Sequence, residues 1–405
     1  EAWINGLLSG PQTQMVNITS NGVILGLTQG VENAVAAGIS KIPKFGSKQL
    51  SFEEVMGNVT GVINGAKKAA QKGFGTFWSE ENTNILGRIE LPRKSIGISP
   101  DAGKIAKVGG QVVRLPGRAL QGADVFFKEL NIAGSLKGQA IRQAREKGLK
   151  GAAKTKFVDD LLANPTKEMS DEAFQVATKN TFTNSLGGDW LTDFGNWGQK
   201  GTTQVPMLRV VVPFVRTPTN IAKFALERTP FALTFKDVRS NLFGARGIAR
   251  DQAWSRIAVG TSAGMLAYFG AAQGLITGGA PSDRNERRLK ATAGWQEYSF
   301  KAGDQYFSFG RLEPVGSILG ISADLHGLGD LMTNGEVDKI PALMANSFAK
   351  NMSSKTFLRG FTDAINAIQD PDRYAERYVQ NLFSSILPFS SAFATVARTG
   401  DPTLR

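Results

Sequence analysis

The stretch that most constrains this chain is Ile257–Thr277, IAVGTSAGMLAYFGAAQGLIT, which contains no charged residue. At about 1.5 Å of rise per residue, a helix over this stretch would cross a bilayer core of roughly 30 Å. Apart from its large apolar residues, the stretch consists mostly of small and hydroxyl residues. The alternative to a membrane helix is therefore a buried helix of a large soluble protein. The sequence therefore predicts a membrane-compatible helix over 257–277.

Glycines recur at a spacing of four, both in this stretch and near the start of the chain. Glycine costs a helix interior about 1 kcal/mol relative to alanine, so its repeated use predicts close contact between helix backbones. We hypothesise that these helices pack in an assembly, that some enter lipid, and that Gly260→Leu and Gly264→Leu disrupt the assembly. The predicted helix-packing residues are Gly22, Gly26, Gly30, Gly57, Gly61, Gly65, Gly260, Gly264, Gly270, Gly274 and Gly278.

The 405 residues carry a net charge of +12, and most of this charge lies between residues 88 and 156. That segment has fifteen Lys and Arg residues against five Asp and Glu. A solvated helix face is one explanation, and a surface that contacts phosphates of DNA or of lipid headgroups is the other. The residues predicted to contact an anionic partner are Lys137, Arg142, Arg145, Lys147, Lys150, Lys154 and Lys156.

Helical periodicity dominates the chain, so we expect a mainly α-helical fold, an extended multi-helix assembly with one short β-hairpin near 295–311. The hairpin is predicted by alternating aromatic residues on either side of the turn sequence Lys301–Asp304. The expected regions are an N-terminal helical region over 1–180, a connection over 181–206, an apolar helical region over 207–293, and the hairpin with a C-terminal helical region over 294–405.

Local signals place several helix ends. Ser51 is predicted to cap a helix, with the Glu54 side chain reaching back to it. Pro116 is predicted to open a helix, and a basic helix is expected to follow it to about Leu162. Thr-Pro occurs at Thr229 and, earlier, at Thr217, where threonine suits an N-cap. The arginine before each threonine lies beside an apolar run, so we expect it at a membrane interface or a subunit contact.

Few residues suit catalysis or metal binding. The chain has no cysteine and one histidine, His326, so neither a typical zinc site nor a thiol nucleophile is available. The sequence Gly148–Thr155, GLKGAAKT, lacks both the glycine before its lysine and the preceding strand of a phosphate-binding loop. We expect a non-enzymatic protein without a cofactor, and we expect His326 to be structural or incidental.

Four stretches resemble the C-terminal region of the giant internal virion proteins of tailed, mainly short-tailed, bacteriophages. They are WINGLLSGPQTQMVNITSN near the start, Val112–Asn131, Val212–Pro230 and Tyr298–Leu325. They follow the order of that family and are similar to a large polyvalent-protein-associated domain. No enzymatic motif of the longer family members has a counterpart here, so the resemblance transfers no catalytic residue.

The resemblance implies a virion protein that packs in the capsid near the portal and is ejected to help form a conduit for DNA across the host envelope. Its expected partners are the portal, other internal virion proteins, further copies of the chain, double-stranded DNA through phosphate contacts, and a host membrane. One alternative is a purely structural portal-core or tail-lumen component that never enters a membrane. Another is a peptidoglycan-cleaving enzyme.

Overall fold

The computed structural model describes residues 11–78, 104–193, 195–197, 216–281 and 283–327, and the side chains of the helix that begins at residue 104 are described from residue 114. The fold is mainly α-helical, and its described part contains one two-stranded antiparallel sheet, as predicted. The parts of the predicted N-terminal, connecting, apolar and C-terminal regions at 1–10, 79–103, 198–215 and 328–405 lie outside the described residues.

The described helices and strands follow one another along the chain as a series of short and long elements. They are α1 (Pro11–Leu25), a π-helical segment (Gly26–Glu32), α2 (Asn33–Ser40), α3 (Phe52–Trp78), α4 (Lys104–Glu146), α5 (Gly151–Ala163), α6 (Lys167–Asn180), α7 (Arg216–Leu226), a 3-10 turn (Pro230–Thr234), α8 (Lys236–Phe243), α9 (Ile248–Ala272), α10 (Arg284–Thr292), β1 (Ser299–Ala302), β2 (Gln305–Ser308) and α11 (Val315–Gly327).

Helices α3 and α4 form the longest packed pair, and glycine allows their backbones to approach. A Cβ added to Gly61 would lie 2.6 Å from the carbonyl oxygen of Ala133 and 3.0 Å from the Cα of Gly134. A Cβ on Gly73 would lie 2.8 Å from the carbonyl oxygen of Gly122. Because the later position on α3 meets the earlier position on α4, the two helices are antiparallel.

Helix α4 contains Pro116 in its interior, so the prediction that Pro116 opens this helix is wrong. The helix begins at Lys104, and the missing N–H of the proline is tolerated within it. The prediction of a continuous basic helix to Leu162 is also wrong, because the chain turns between α4 and α5. Gly148 and Gly151 have φ angles of 67° and 54° in this turn, a left-handed conformation that glycine adopts without strain.

The prediction of one helix over Ile257–Thr277 is wrong at both ends. Helix α9 begins nine residues earlier than predicted, at Ile248, and it ends at Ala272. Gly274 has a φ of 69°, which ends the helix with a left-handed residue. Beyond it Ile276 forms an isolated antiparallel bridge with Phe300, and the N–H of Thr277 donates to the carbonyl of Ser299 at 2.9 Å. The last residues of the uncharged stretch therefore lie beside the hairpin.

The hairpin is confirmed, including the position of its turn. Ala302 pairs with Gln305 and Phe300 pairs with Phe307, so a two-residue turn joins the strands. Gly303 in that turn has a φ of 61°, as a tight hairpin turn between right-handed twisted strands requires.

The beginning of the predicted connection packs against helix α7. The Asn220 side chain on α7 donates to the carbonyl oxygens of Phe182 at 3.2 Å and Asn184 at 2.8 Å. The Phe182 ring is 2% exposed and lies edge-on to Phe224, with ring centroids 5.3 Å apart. Part of the predicted connection therefore belongs to the core that it was expected to link.

Candidate functional site

A polar cavity of about 90 Å³ lies where the π-helical segment, α3, α4, α6 and α9 meet, and its lining includes the exposed Glu172. Protein interiors are ordinarily apolar, and buried charges require partners. The charged residues at the cavity wall are Glu32, Glu54, Arg142, Glu172, Lys179, Arg228 and Arg256.

Glu32 and Arg228 form a two-point ion pair in this cluster. The Arg228 Nε donates to Glu32 Oε1 at 2.6 Å and its Nη2 donates to Oε2 at 2.8 Å. The guanidinium also lies over the Phe224 ring, 3.2 Å from its centroid. Burial lowers the pKa of Arg228, and the negative charge of Glu32 opposes that shift. Arg228 is 1% exposed, so the expectation that it lies at a membrane interface or subunit contact is wrong.

Glu227 and Lys179 form a second pair next to the first. Lys179 Nζ lies 2.7 Å from Glu227 Oε2, and the carboxylate is 1% exposed. Burial opposes ionisation of Glu227, but the charges of Lys179 and Arg256 outweigh it and lower the Glu227 pKa to about 2. Burial also lowers the pKa of Lys179, and Glu227 partly offsets this shift. The carboxylate therefore stays ionised over the whole neutral and mildly acidic range.

Glu54 extends the cluster to the start of α3. Its backbone N–H donates to Ser51 Oγ at 3.3 Å, which confirms the predicted cap. Its side chain does not reach back to Ser51, because Oε1 accepts from Arg142 Nε at 2.9 Å and from Nη2 at 2.5 Å. Oε2 is buried without a hydrogen-bond partner among the described residues. Burial raises the pKa of Glu54 above its usual value, and the contact with Arg142 opposes this shift.

Neutral amides join the π-helical segment to α4 and α6. Asn131 Oδ1 accepts from Gln29 Nε2 at 3.1 Å and from Asn180 Nδ2 at 2.7 Å. Asn180 Nδ2 also lies 2.9 Å from Thr28 Oγ1. Such buried networks fix a unique packing when their members are satisfied. Short π-helical segments occur frequently at functional sites, and this one supplies the inner wall of the cavity.

Sequence reasoning did not identify Lys179, Glu227, Asn131 or Asn180 as members of a cluster. One signal was present: Glu32 is the only charged residue between Pro11 and Ser40. A lone carboxylate in a long apolar helix usually has a partner in the interior. The partner itself lies 196 residues away, and local pattern does not identify it.

The helix from Pro11 to Ser40 exposes several large apolar side chains, and it buries polar side chains together with Ile24, Ala36 and Ala37. Met15 is 68% exposed and Ile18 is 52% exposed, whereas Asn21 and Gln29 are each 4% exposed. A helix of a soluble protein ordinarily keeps large apolar side chains inside. We call this exposed apolar side the reversed face.

Helix α9 has a reversed face as well. Leu266 is 72% exposed and Phe269 is 59% exposed, and the two lie on one side of the helix with Met265. Asp251 and Ser255 are each 1% exposed. Asp251 accepts hydrogen bonds from Ser47 across the contact between α9 and the loop after α2.

The predicted helix-packing glycines lie in three kinds of environment. Those on α3 contact α4, as described above for Gly61; Gly57 faces Ile141 and Gly138, and Gly65 faces Ala133. The positions with open space where a Cβ would lie are Gly22, Gly26, Gly30 and Gly274. The positions that face other parts of the same chain are Gly260 against Arg228, Gly264 against Ser322, Gly270 against Ile276 and Gly278 against Asp324.

Gly274 and Gly278 lie beyond the end of α9, so the prediction that they stack on one helix side with Gly270 is wrong. Gly274 has a positive φ and ends the helix. The four-residue spacing of the glycines continues past the end of α9, where the chain is no longer helical. There the spacing does not mark a helix face.

Among the described residues, one helix is long and apolar enough to span a membrane by length and composition, and it is Pro11–Ser40. Its most apolar window is 39% buried inside the chain. Helix α9, which covers most of the predicted span at 257–277 and ends at Ala272, does not meet this criterion.

The predicted anion-contacting residues divide into three groups. Arg142 binds Glu54, Arg145 donates to the Gln49 carbonyl and Lys154 pairs with Glu53, so three of them hold α4 and α5 against the start of α3. Lys137 is half-buried beside Gly61. The exposed members are Lys147, Lys150 and Lys156.

His326 packs edge-on against the Tyr268 ring, with centroids 5.3 Å apart. Within the described residues, no group of three or more His, Asp or Glu side chains is placed to hold a metal ion.

Three comparisons with known proteins end without a match, since no family model, no curated protein and no solved structure is similar to this chain.

Proposed function

We propose that this chain is an internal virion protein of a tailed phage, an ejection protein that packs near the portal and helps form a conduit for DNA across the host envelope. The proposal combines the resemblance of four stretches to that family with one structural observation. That observation is the reversed face of Pro11–Ser40 and of α9.

The reversed face supports a protein whose surroundings are not bulk water alone. Covering the exposed side chains of Leu266 and Phe269 lowers the free energy by roughly 25 cal/mol per Å² of apolar surface. The buried Glu32–Arg228 pair links the π-helical segment to the residues that follow α7. A neighbouring chain or lipid would cover these exposed apolar side chains.

The basic segment supports contact with packaged or translocating DNA. Lys147, Lys150 and Lys156 are exposed, and lysines on a protein surface bind phosphates without regard to sequence. This contact belongs to the same proposal, because a conduit protein has to tolerate the passing duplex.

Cell fractionation after infection tests the proposal. Host cells are infected with the phage that carries this chain, and the chain is followed by antibody in emptied capsids, host membranes and cytoplasm. We expect the polypeptide to leave the particle and to appear in the envelope fraction. Its complete retention in emptied capsids would overturn ejection.

A purely structural portal-core or tail-lumen role is the second candidate. The observation that favours it is that Gly57, Gly61, Gly260 and Gly264 face other parts of the same chain. Leakage of a dye from liposomes separates the two roles, because only a chain that enters lipid releases the dye. Leakage by the purified chain supports ejection, and intact liposomes with retained virion association support the structural role.

A further inference from the structure

The fold brings a second basic segment beside the turn between α4 and α5. The loop 41–50 between α2 and α3 carries Lys41, Lys44 and Lys48. The carbonyl of Gln49 in this loop accepts a hydrogen bond from the Arg145 guanidinium near the end of α4. The two segments are about a hundred residues apart in sequence, so no sequence pattern joins them.

Ionic contacts hold the loop and the turn in one arrangement. Lys154 on α5 pairs with Glu53, directly after the loop, and Arg142 on α4 binds Glu54. On the other side, the Ser47 hydroxyl donates to Asp251 of α9. The loop backbone is therefore fixed against α4, α5 and α9.

Lysines at the tip of this arrangement point away from these contacts. Lys44 and Lys48 are exposed and have φ angles of 63° and 64°. A left-handed backbone at a residue other than glycine is unfavourable and persists where surrounding contacts hold it. Lys150 is exposed in the turn, and Lys147 lies beside it over the Phe157 ring at 5.5 Å.

We propose that the loop lysines Lys44 and Lys48 and the turn lysines Lys147 and Lys150 form one surface that contacts the phosphates of double-stranded DNA. This surface deepens the proposed function, and it rests on the DNA contact in that proposal. It adds the loop to the predicted basic segment and removes Arg142, Arg145 and Lys154, whose charges serve the fold.

The arrangement favours a duplex over the other anionic polymers and surfaces. A duplex presents phosphates at fixed spacing, one charge per roughly 1.7 Å of helix axis, and a rigid set of cations matches a rigid set of anions. Single strands are bound through aromatic rings that stack on bases, but Phe52 and Phe157 lie under Lys41 and Lys147 here.

Salt-dependent DNA binding by the purified full chain tests this surface. Fluorescence anisotropy of a short labelled duplex gives the binding constant over a series of NaCl concentrations. The variants are Lys44→Asn with Lys48→Asn, since asparagine tolerates a left-handed backbone, and Lys147→Gln with Lys150→Gln. The control is Lys236→Gln with Lys301→Gln, exposed lysines on other elements. Circular dichroism verifies that each variant is folded.

We expect the slope of log K against log salt to fall in magnitude by about 1.8 in each double variant, since each lost phosphate contact removes about 0.9. The control variant should keep the wild-type slope. A loop variant with the wild-type slope would overturn the surface, while a change in the turn variant would still support DNA contact in the proposed function. Absence of duplex binding by the wild type would overturn both.

Anionic vesicles distinguish a lipid headgroup from DNA as the source of phosphate. The same variants are mixed with vesicles of phosphatidylglycerol and phosphatidylcholine. Unchanged vesicle binding in the loop variant supports the DNA surface. Loss of vesicle binding with an unchanged DNA slope would overturn it in favour of a membrane contact.

Discussion

Arg228 donates two hydrogen bonds to Glu32, with Nε and Nη2 at 2.6 and 2.8 Å from the two carboxylate oxygens. Glu32 belongs to the π-helical segment near the start of the chain, and Arg228 follows α7. The pair thus connects the predicted N-terminal region to the predicted apolar region. Because both side chains are almost fully buried, neither charge has water as an alternative partner.

Glu32→Gln is expected to destabilise the fold by about 3–5 kcal/mol, because it leaves the Arg228 charge buried without a counter-ion. Urea denaturation followed by circular dichroism measures the free energy of unfolding. The matched control is Glu286→Gln, which breaks the exposed Lys290–Glu286 pair at 2.9 Å and should cost about 0.5 kcal/mol or less. Equal losses of unfolding free energy in the two variants would show that the buried pair does not stabilise the fold more than an exposed pair does.

Gly61→Ala and Gly22→Ala are expected to change stability in opposite directions. A Cβ at Gly61 meets the Ala133 carbonyl at 2.6 Å, so α3 and α4 have to separate, at a cost of about 1–3 kcal/mol. A Cβ at Gly22 meets nothing within 4 Å, so alanine should stabilise the helix by about 0.5–1 kcal/mol. Thermal melting compares the two variants, and a loss at Gly22 as large as at Gly61 would contradict the placement.

Gly260→Ala is expected to lower the stability of the single chain, and not only its assembly with other chains. A Cβ there would lie 2.5 Å from the Cβ of Arg228, and its closest neighbours include backbone atoms that have little freedom to move. The loss of assembly first expected for Gly260→Leu would therefore follow from misfolding. Gly22→Leu is the better probe of assembly, because that position is open in the single chain. Analytical ultracentrifugation, with a melting curve as the control for folding, separates the two effects.

Stability should fall in acid as Glu227 becomes protonated. Its pKa is lowered from an ordinary 4.5 to about 2, so the unfolded chain binds this proton more readily than the folded chain does. The contribution is present above the unfolded pKa and is lost as pH falls from about 4.5 towards 2, on the order of 3 kcal/mol in all. Urea denaturation at a series of pH values measures it. Glu227→Gln should flatten this part of the profile, and an unchanged acid loss in that variant would assign it to other carboxylates.

The reversed face of α9 should affect association without affecting the fold. Leu266→Gln with Phe269→Gln removes two exposed apolar side chains, so the melting temperature should stay close to that of the wild type. Self-association and dye release from liposomes should both decrease. The control is Phe243→Gln with Leu289→Gln, which are equally exposed on other helices. Similar decreases of self-association and dye release in both variants would indicate non-specific hydrophobic association instead of a defined face.

The mainly helical class and the hairpin were predictable, because their signals are local. The turn at Gly303 and the aromatic alternation around it lie within about a dozen residues. The cap at Ser51 was predictable for the same reason. Gly274 misled the prediction, since a glycine that ends a helix and a glycine that packs inside one look alike in sequence.

The polar cluster was not predictable, because its pairs are distant in sequence. Asn131 binds Gln29 from 102 residues away, and no periodicity encodes such a contact. The basic segment was visible in composition, but composition did not separate Arg142, which binds Glu54, from Lys150, which is exposed. Burial decides that difference, and burial follows from the packing of α3 on α4.

The π-helical segment Gly26–Glu32 sets the phase between the two parts of one long helix. Its hydrogen bonds span one residue more than those of an α-helix, so side chains before and after it point in directions that a uniform helix would not give. Deleting one residue there would restore a regular helix and leave α1 and α2 close to their present relative directions, because the wide turn absorbs one surplus residue. A uniform α-helix of the present length would instead rotate Asn21 and Ile24 away from the interior, so the wide turn governs which side of the first thirty described residues meets the outside.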